Sequence, residues 1–147
     1  HKVLVDSEDY AFLSRFSWSI NKNRKTYYAK TNVKIGNKTT AITMHRLITG
    51  LVTSQIDHKN RTGLDNRKEN LRFATKSQNS TNRIRENKFG YRGVYQPKNS
   101  HNYSFQIQIN GKRVHKHGYA TAEMAARAYD KMSEEHHGEF GIRNFEE

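Results

Sequence analysis

The segment Tyr103-Ser104-Phe105-Gln106-Ile107-Gln108-Ile109 alternates apolar and polar residues without a break, and Asn110-Gly111 follows it at once. Unbroken alternation marks a half-buried strand, because successive side chains point to opposite faces. Asn-Gly is the preferred two-residue hairpin turn, since both positions accept positive φ. The chain is therefore expected to fold back into a return strand from Lys112 to Tyr119. With Gly90-Tyr91-Arg92-Gly93-Val94-Tyr95 upstream, the pattern predicts a three-stranded antiparallel sheet. Thr121 stands where it caps a helix in which Ala125, Ala128, Tyr129 and Met132 recur at spacings of three and four, with Gly138 beyond its end. A sheet covered by one helix is a complete small domain.

The earlier part of the chain reads differently. Lys2-Val3-Leu4-Val5, Phe16-Ser17-Trp18-Ser19-Ile20 and Thr26-Tyr27-Tyr28-Ala29 favour strands, and residues 34–42 suggest a hairpin turning at Gly36-Asn37. Met44-His45-Arg46-Leu47-Ile48 has helical spacing and stops at Gly50. Residues 55–71 are dominated by Asp, Asn, Arg, Lys and Gly, so they predict a polar loop entered by a short strand around Ile56. Thr75 and Gln78 fit a reciprocal capping box, which starts a helix near Lys76 that runs through Asn82 and Ile84. Arg85-Glu86-Asn87-Lys88 reads as a linker.

A hydrophobic share of 33% limits the core that 147 residues can bury, which favours two small, polar domains over one large one. The fold class expected is α+β. A net charge of +12, with a pI near 10.0, gives a surface that attracts polyanions. Without cysteine there is no disulfide and no thiolate zinc site, so no structural zinc is expected and any metal must be held by His, Asn or carboxylate. No apolar run approaches bilayer length and no signal segment opens the chain, so no membrane partner is expected and the chain reads as soluble and intracellular.

The chemistry is concentrated between Ile56 and Asn79: an Asp57-His58 pair on a strand, Asn70 in a polar loop, and Asn79 in the first turns of a helix. Phosphodiester hydrolysis needs a base to deprotonate water and a cation to neutralise the transition state and the departing oxygen. Asp57 and the side-chain oxygen of Asn79 are hard ligands suited to Mg²⁺ or Mn²⁺. Neighbouring strand residues point to opposite faces, so His58 is kept apart from an ion on Asp57 and left to work on water. The bland alternative is a surface loop whose Asp and Asn residues merely make turns.

Asp57-His58, Asn70 and Asn79, with Asn70 twelve and Asn79 twenty-one residues beyond His58, resemble the motif of HNH homing endonucleases, in particular their cysteine-free branch from phages and mobile introns. The resemblance implies a ββα core over residues 54–84 within a nuclease domain of residues 1–86. It assigns His58 as general base, Asn70 as the residue pinning the loop, and Asp57 with Asn79 as the metal site. Leu4-Val5-Asp6, Trp18 and Met44-His45-Arg46-Leu47 resemble the usual flank of such domains. His45 has two readings, a packed structural histidine and a further site residue.

Tyr91-Arg92-Gly93-Val94, Gly111-Lys112-Arg113-Val114, residues 121–130, Gly138-Glu139-Phe140 and Asn144-Phe145 resemble the AP2 domain, over nearly all of residues 90–146. That resemblance implies a DNA-binding domain of residues 87–147 whose sheet lies in a major groove. Tyr103, Phe105, Ile107 and Ile109 share the face for the helix, and Ser104, Gln106 and Gln108 the other. Arg92, Gln106, Gln108 and Arg113 are candidate base readers, and Lys98, Lys112 and Lys116 candidate phosphate contacts. This chain departs from the AP2 pattern where a strand tryptophan is replaced near Tyr103 and where a Trp-Leu-Gly stretch reads His115-Lys116-His117. His115, His117, His136 and His137 read as exposed histidines, since no carboxylate stands at a metal-binding spacing from them.

The combined expectation is a Mg²⁺- or Mn²⁺-dependent endonuclease on double-stranded DNA, acting as a monomer or weak homodimer in the cytoplasm of a bacterial or phage-infected host. Its products would carry 5′-phosphate and 3′-hydroxyl ends. The alternative is a catalytically inactive DNA-binding regulator.

Overall fold

The computed structural model describes residues 1–23, 26–50, 53–82 and 87–145, with the backbone alone at Ile35. The fold is mixed α+β, built from small antiparallel sheets. The chain divides into two compact units, residues 1–79 and 80–147.

In the first unit, helix α1 (Ser7–Leu13) precedes a three-stranded sheet of β1 (Ser19–Asn23), β2 (Thr26–Ile35) and β3 (Lys38–Thr43). The β2–β3 hairpin turns at Gly36-Asn37 as expected, with Ile35 opposite Lys38. Helix α2 (Met44–Ile48) follows directly. Leu13, Ala29 and Met44 form the buried core, with Val3, Val5, Trp18, Leu47, Ile48 and Leu64 packed against it.

Two expectations are corrected here. Residues 2–5 make no strand of their own; Leu4 forms a single parallel bridge with Asp65, donating to Leu64 O at 2.9 Å and accepting from Asn66 N at 2.8 Å. A strand cannot form on so short a partner, and the segment instead fastens the polar loop. Helix α1 was not expected, because Tyr10 and Phe12 suit strands as well. Glu8 and Asp9 in its first turn, favourable at the positive end of a helix, are the signal that would have found it.

The polar stretch is bounded by β4 (Gln55–His58) and β5 (Leu71–Ala74), an antiparallel pair with Asp57 opposite Arg72 and His58 opposite Leu71. Helix α3 (Lys76–Thr81) follows, and the capping box is reciprocal: Thr75 N donates to Gln78 Oε1 at 2.8 Å and Gln78 N to Thr75 Oγ1 at 3.2 Å. Asn82 lies past the end of α3, while Ile84 and the first half of the expected linker, Arg85 and Glu86, lie outside the described residues.

In the second unit, β6 (Val94–Tyr95), β7 (Tyr103–Ile109) and β8 (Lys112–Tyr119) form the expected three-stranded antiparallel sheet, and Asn110-Gly111 takes positive φ at both turn positions (49° and 79°). Helix α4 (Ala122–His137) is capped by Thr121, whose Oγ1 accepts from Met124 N at 3.1 Å. Val94, Phe105, Ile107, Ala125, Ala126 and Tyr129 form the core between sheet and helix. Gly93, at φ +76°, lies so close to the Tyr129 ring that an added Cβ would come within 2.5 Å of it. The Asp130 carboxylate accepts from Asn144 N at 2.8 Å and Phe145 N at 3.0 Å, tying the chain's last described residues to α4.

Candidate active site

Pairing of β4 with β5 sets out the site, because it separates adjacent side chains onto two faces. Asp57 and Gln55 share one face. Arg72, the cross-strand partner of Asp57, is on that face as well: its Nε and Nη2 donate to Asp57 Oδ2 at 3.0 and 2.8 Å. Asn79 on α3 comes to the same side, with Nδ2 donating to Gln55 Oε1 at 3.0 Å. That bond turns Asn79 Oδ1 the other way. Asp57 and Asn79 thus bring a carboxylate and a carboxamide to one side of the β4–β5 pair, oxygen donors of the kind a hard divalent ion takes. Among the described residues there is no group of three or more His, Cys, Asp or Glu side chains placed to hold a metal.

His58, on the opposite face, is buried (5% exposed) among Tyr28, His45 and Asn66. Its ring meets that of His45 edge-on at 5.0 Å, and Tyr28 lies 5.7 Å away. Burial holds the His58 pKa below its ordinary value, although the Asn66 hydrogen bond and the charges of Asp57 and Asp65 oppose the shift. A neutral imidazole has a lone pair to give, which a general base needs. His45 is pushed down to about 3, by burial first and then by the neighbouring His58 and Arg46. Its Nε2 lies 3.0 Å from Thr43 Oγ1, while its buried Nδ1 has no hydrogen-bond partner. The structure thus brings His45 against His58, though sequence alone left its role open.

Asn70 is buried and holds the loop by its side chain: Oδ1 accepts from Asn60 N at 2.9 Å and Nδ2 donates to Asp65 O at 2.7 Å. Its backbone carbonyl accepts from Lys59 N at 2.9 Å. Asp65 takes a two-nitrogen fork from Arg67, both contacts 2.8 Å, together with Asn60 Nδ2 at 2.8 Å. The Arg67 hydrogen bonds hold its carboxyl below the usual carboxylate range, against the opposing effect of burial. Gly63 packs so closely on Tyr27 and Tyr28 that an added Cβ would meet both at 2.5 Å.

Arg72 and Asn66 were not singled out from sequence. Arg72 becomes visible once residues 71–74 are read as a strand, because register then fixes it opposite Asp57. No local pattern marks Asn66, whose backbone partner Leu4 is distant in sequence.

In the second unit, Gln106 and Gln108 pair with His115 and Arg113 across β7 and β8, so these four exposed side chains share the face away from α4. His115 Nδ1 lies 3.1 Å from Tyr95 Oη, and His117 Nδ1 lies 3.0 Å from Ser104 Oγ. Gln108 Nε2 turns back to Gly111 O at 3.5 Å. Lys112 and Lys116 flank Val114 on the other side of β8, the side that meets the core, although both remain exposed. Arg92 is half-buried and engaged, with Nε donating to Tyr129 Oη at 2.7 Å. Its guanidinium braces the loop against the core, so the structure sets Arg92 apart from the other candidate base readers. His136 is exposed and His137 half-buried.

An uncharacterized HNH endonuclease of Acanthamoeba polyphaga mimivirus is 33% identical to this chain over 143 residues, covering 92% of this chain and 74% of that protein. The chain belongs to the HNH endonuclease family. No protein-family profile matches this family member, and no solved structure matches it. Among its described residues, no helix is long and apolar enough to cross a membrane.

Proposed function

We propose that this HNH family member is a divalent-metal-dependent endonuclease of double-stranded DNA, with residues 1–86 as the nuclease domain and residues 87–147 as an AP2-like docking domain. The observation carrying the proposal is the placement of Asp57 and His58 on opposite faces of β4, with Asn79 beside the Asp57 face. In this reading β4, β5 and α3 are the ββα core. His58, neutral and buried, accepts the proton of a water whose oxygen attacks phosphorus. The bond to the 3′ oxygen breaks, giving 5′-phosphate and 3′-hydroxyl ends. Asp57 and Asn79 would hold Mg²⁺ or Mn²⁺, which when bound neutralises charge on the phosphate and on the leaving oxygen. Arg72 orients the Asp57 carboxylate by gripping Oδ2. Asn70 keeps the loop after His58 in one conformation through its bonds to Asn60 and Asp65.

The Gln106, Gln108, Arg113 and His115 face supports DNA docking, since Gln and Arg side chains read base edges. Lys112 and Lys116 leave β8, an edge strand, on the opposite side from this face, so their long side chains would reach phosphates only round the sheet edge. The mimivirus relative's name supports nuclease activity.

The test is conversion of supercoiled plasmid by purified protein with Mg²⁺, beside an EDTA control and the variants His58→Ala and Asn79→Ala. Metal-dependent conversion lost in both variants is the expected result. Conversion that survives EDTA or His58→Ala overturns the mechanism. Tight, salt-sensitive DNA binding with no conversion would point instead to a DNA-binding regulator.

A further inference from the structure

Asn66 is fully buried (0% exposed), and its side-chain Oδ1 lies 3.4 Å from His58 Nε2. Its Nδ2 is also buried, with no hydrogen-bond partner. Buried carboxamides normally satisfy both ends, so one that leaves its nitrogen unpaired while presenting its oxygen to a ring is placed for the sake of that ring. A carbonyl oxygen only accepts, so with Oδ1 on this side the contact is a hydrogen bond only when Nε2 carries the hydrogen.

The position of Asn66 is imposed from a distance. Its backbone N donates to Leu4 O at 2.8 Å, and Leu4 bridges Asp65 in parallel register. On the His58 side, the Tyr28 and His45 rings pack at 5.7 and 5.0 Å and resist rotation of the imidazole.

We propose that Asn66 is a positioning residue that holds His58 as the Nε2–H tautomer, so that Nδ1 carries the lone pair that accepts the proton from water. The catalytic half of this rests on His58 acting as the general base; the tautomer itself does not. A base locked in one tautomer presents its lone pair in one direction, whereas a mixture spends part of its population with a hydrogen there.

The experiment is a long-range ¹H–¹⁵N correlation of histidine side chains in the uniformly ¹⁵N-labelled full chain, recorded above the pH range in which a free imidazole titrates. His58→Gln identifies the signal. Wild type is expected to show hydrogen on Nε2 and none on Nδ1. Asn66→Leu, similar in size but without an acceptor, is expected to show a tautomer mixture, and Asn66→Asp, which keeps the oxygen, to restore Nε2–H. Hydrogen on Nδ1 in wild type overturns the proposal, and so does an unchanged ring in Asn66→Leu. Should Asn66→Leu fail to fold, wild type and Asn66→Asp still decide, because loss of Nε2–H in the latter also overturns it.

Plasmid nicking by the same samples separates the two layers. In Asn66→Leu, kcat is expected to fall about tenfold to hundredfold with KM for DNA unchanged, as when an orienting partner of an active-site histidine is lost, and to recover in Asn66→Asp. The expected tautomers in a protein that never nicks DNA would sink the general-base reading and leave the positioning role standing.

Discussion

Arg72 and Asp57 face each other across the β4–β5 pair, and two nitrogens of the guanidinium converge on the single oxygen Oδ2. The side chains are 9% and 6% exposed, so solvent screens the pair little. Two donors on one oxygen anchor that oxygen on the face Asp57 shares with Gln55 and Asn79.

Removing one member of such a pair strands a buried charge. Arg72→Ala is expected to destabilise the first unit by about 3–5 kcal/mol. The double variant Asp57→Leu with Arg72→Met is expected to regain most of that loss, because neither charge is then buried alone. Urea unfolding followed by Trp18 fluorescence measures both, since the single tryptophan packs against the first unit's core. A double variant no more stable than Arg72→Ala would contradict this account.

Asn70→Ala leaves the Asn60 amide and the Asp65 carbonyl without their partner. The Asp65 carbonyl carries most of the loss, since an unpaired buried group costs about 1–3 kcal/mol, whereas the amide of exposed Asn60 can turn to water. Asn70→Asp keeps the acceptor for Asn60 but sets a carboxylate oxygen against the Asp65 carbonyl and adds a buried charge beside Asp65, so it should be less stable than Asn70→Ala. The same fluorescence titration ranks the three; an Asn70→Asp variant as stable as wild type would show that the donor to Asp65 contributes nothing.

Acid should weaken the first unit well before its carboxylates titrate. His45 takes up a proton near its ordinary 6.5 when unfolded but only at about 3 when folded, so in that window the unfolded state binds more protons. Stability is then fully present above pH 6.5 and declines as pH falls towards 3, by up to about 1.4 kcal/mol per pH unit for each such proton. His58, also lowered, adds in the same direction. Asp65, lowered from 3.8, contributes stability that is lost only below that value. Urea midpoints between pH 7 and pH 4 should fall in wild type and fall less steeply in His45→Gln; parallel slopes would refute the assignment.

In the second unit, two kinds of arginine should separate. Arg113→Ala removes an exposed side chain from the face of Gln106 and Gln108, so it is expected to weaken duplex binding while leaving the melting temperature within a degree or two. Arg92→Ala breaks the bond to Tyr129 and should lower the stability of the second unit instead. Fluorescence anisotropy with labelled duplex and thermal melting by circular dichroism test the pair. Arg92→Ala with wild-type melting and altered base preference would return Arg92 to the base readers.

What could be read from the sequence was local. The β7–β8 hairpin follows from alternation and an Asn-Gly turn, the start of α3 from a Thr and a Gln three residues apart, and the cap of α4 from Thr121. Each depends on groups within a few residues of one another, where backbone geometry leaves few choices. His58, Asn70 and Asn79 could be singled out as candidates because their spacing resembles a family pattern. Tertiary structure alone decided that Arg72 grips Asp57, that His45 packs on His58, that Arg92 is spent on Tyr129, and that Leu4 sets the position of Asn66. Those partners lie far apart in the chain, and no propensity, period or turn signal encodes them. They are set by which surfaces must be buried together, and a hydrogen bond between distant residues becomes obligatory only after that burial has removed water as a partner.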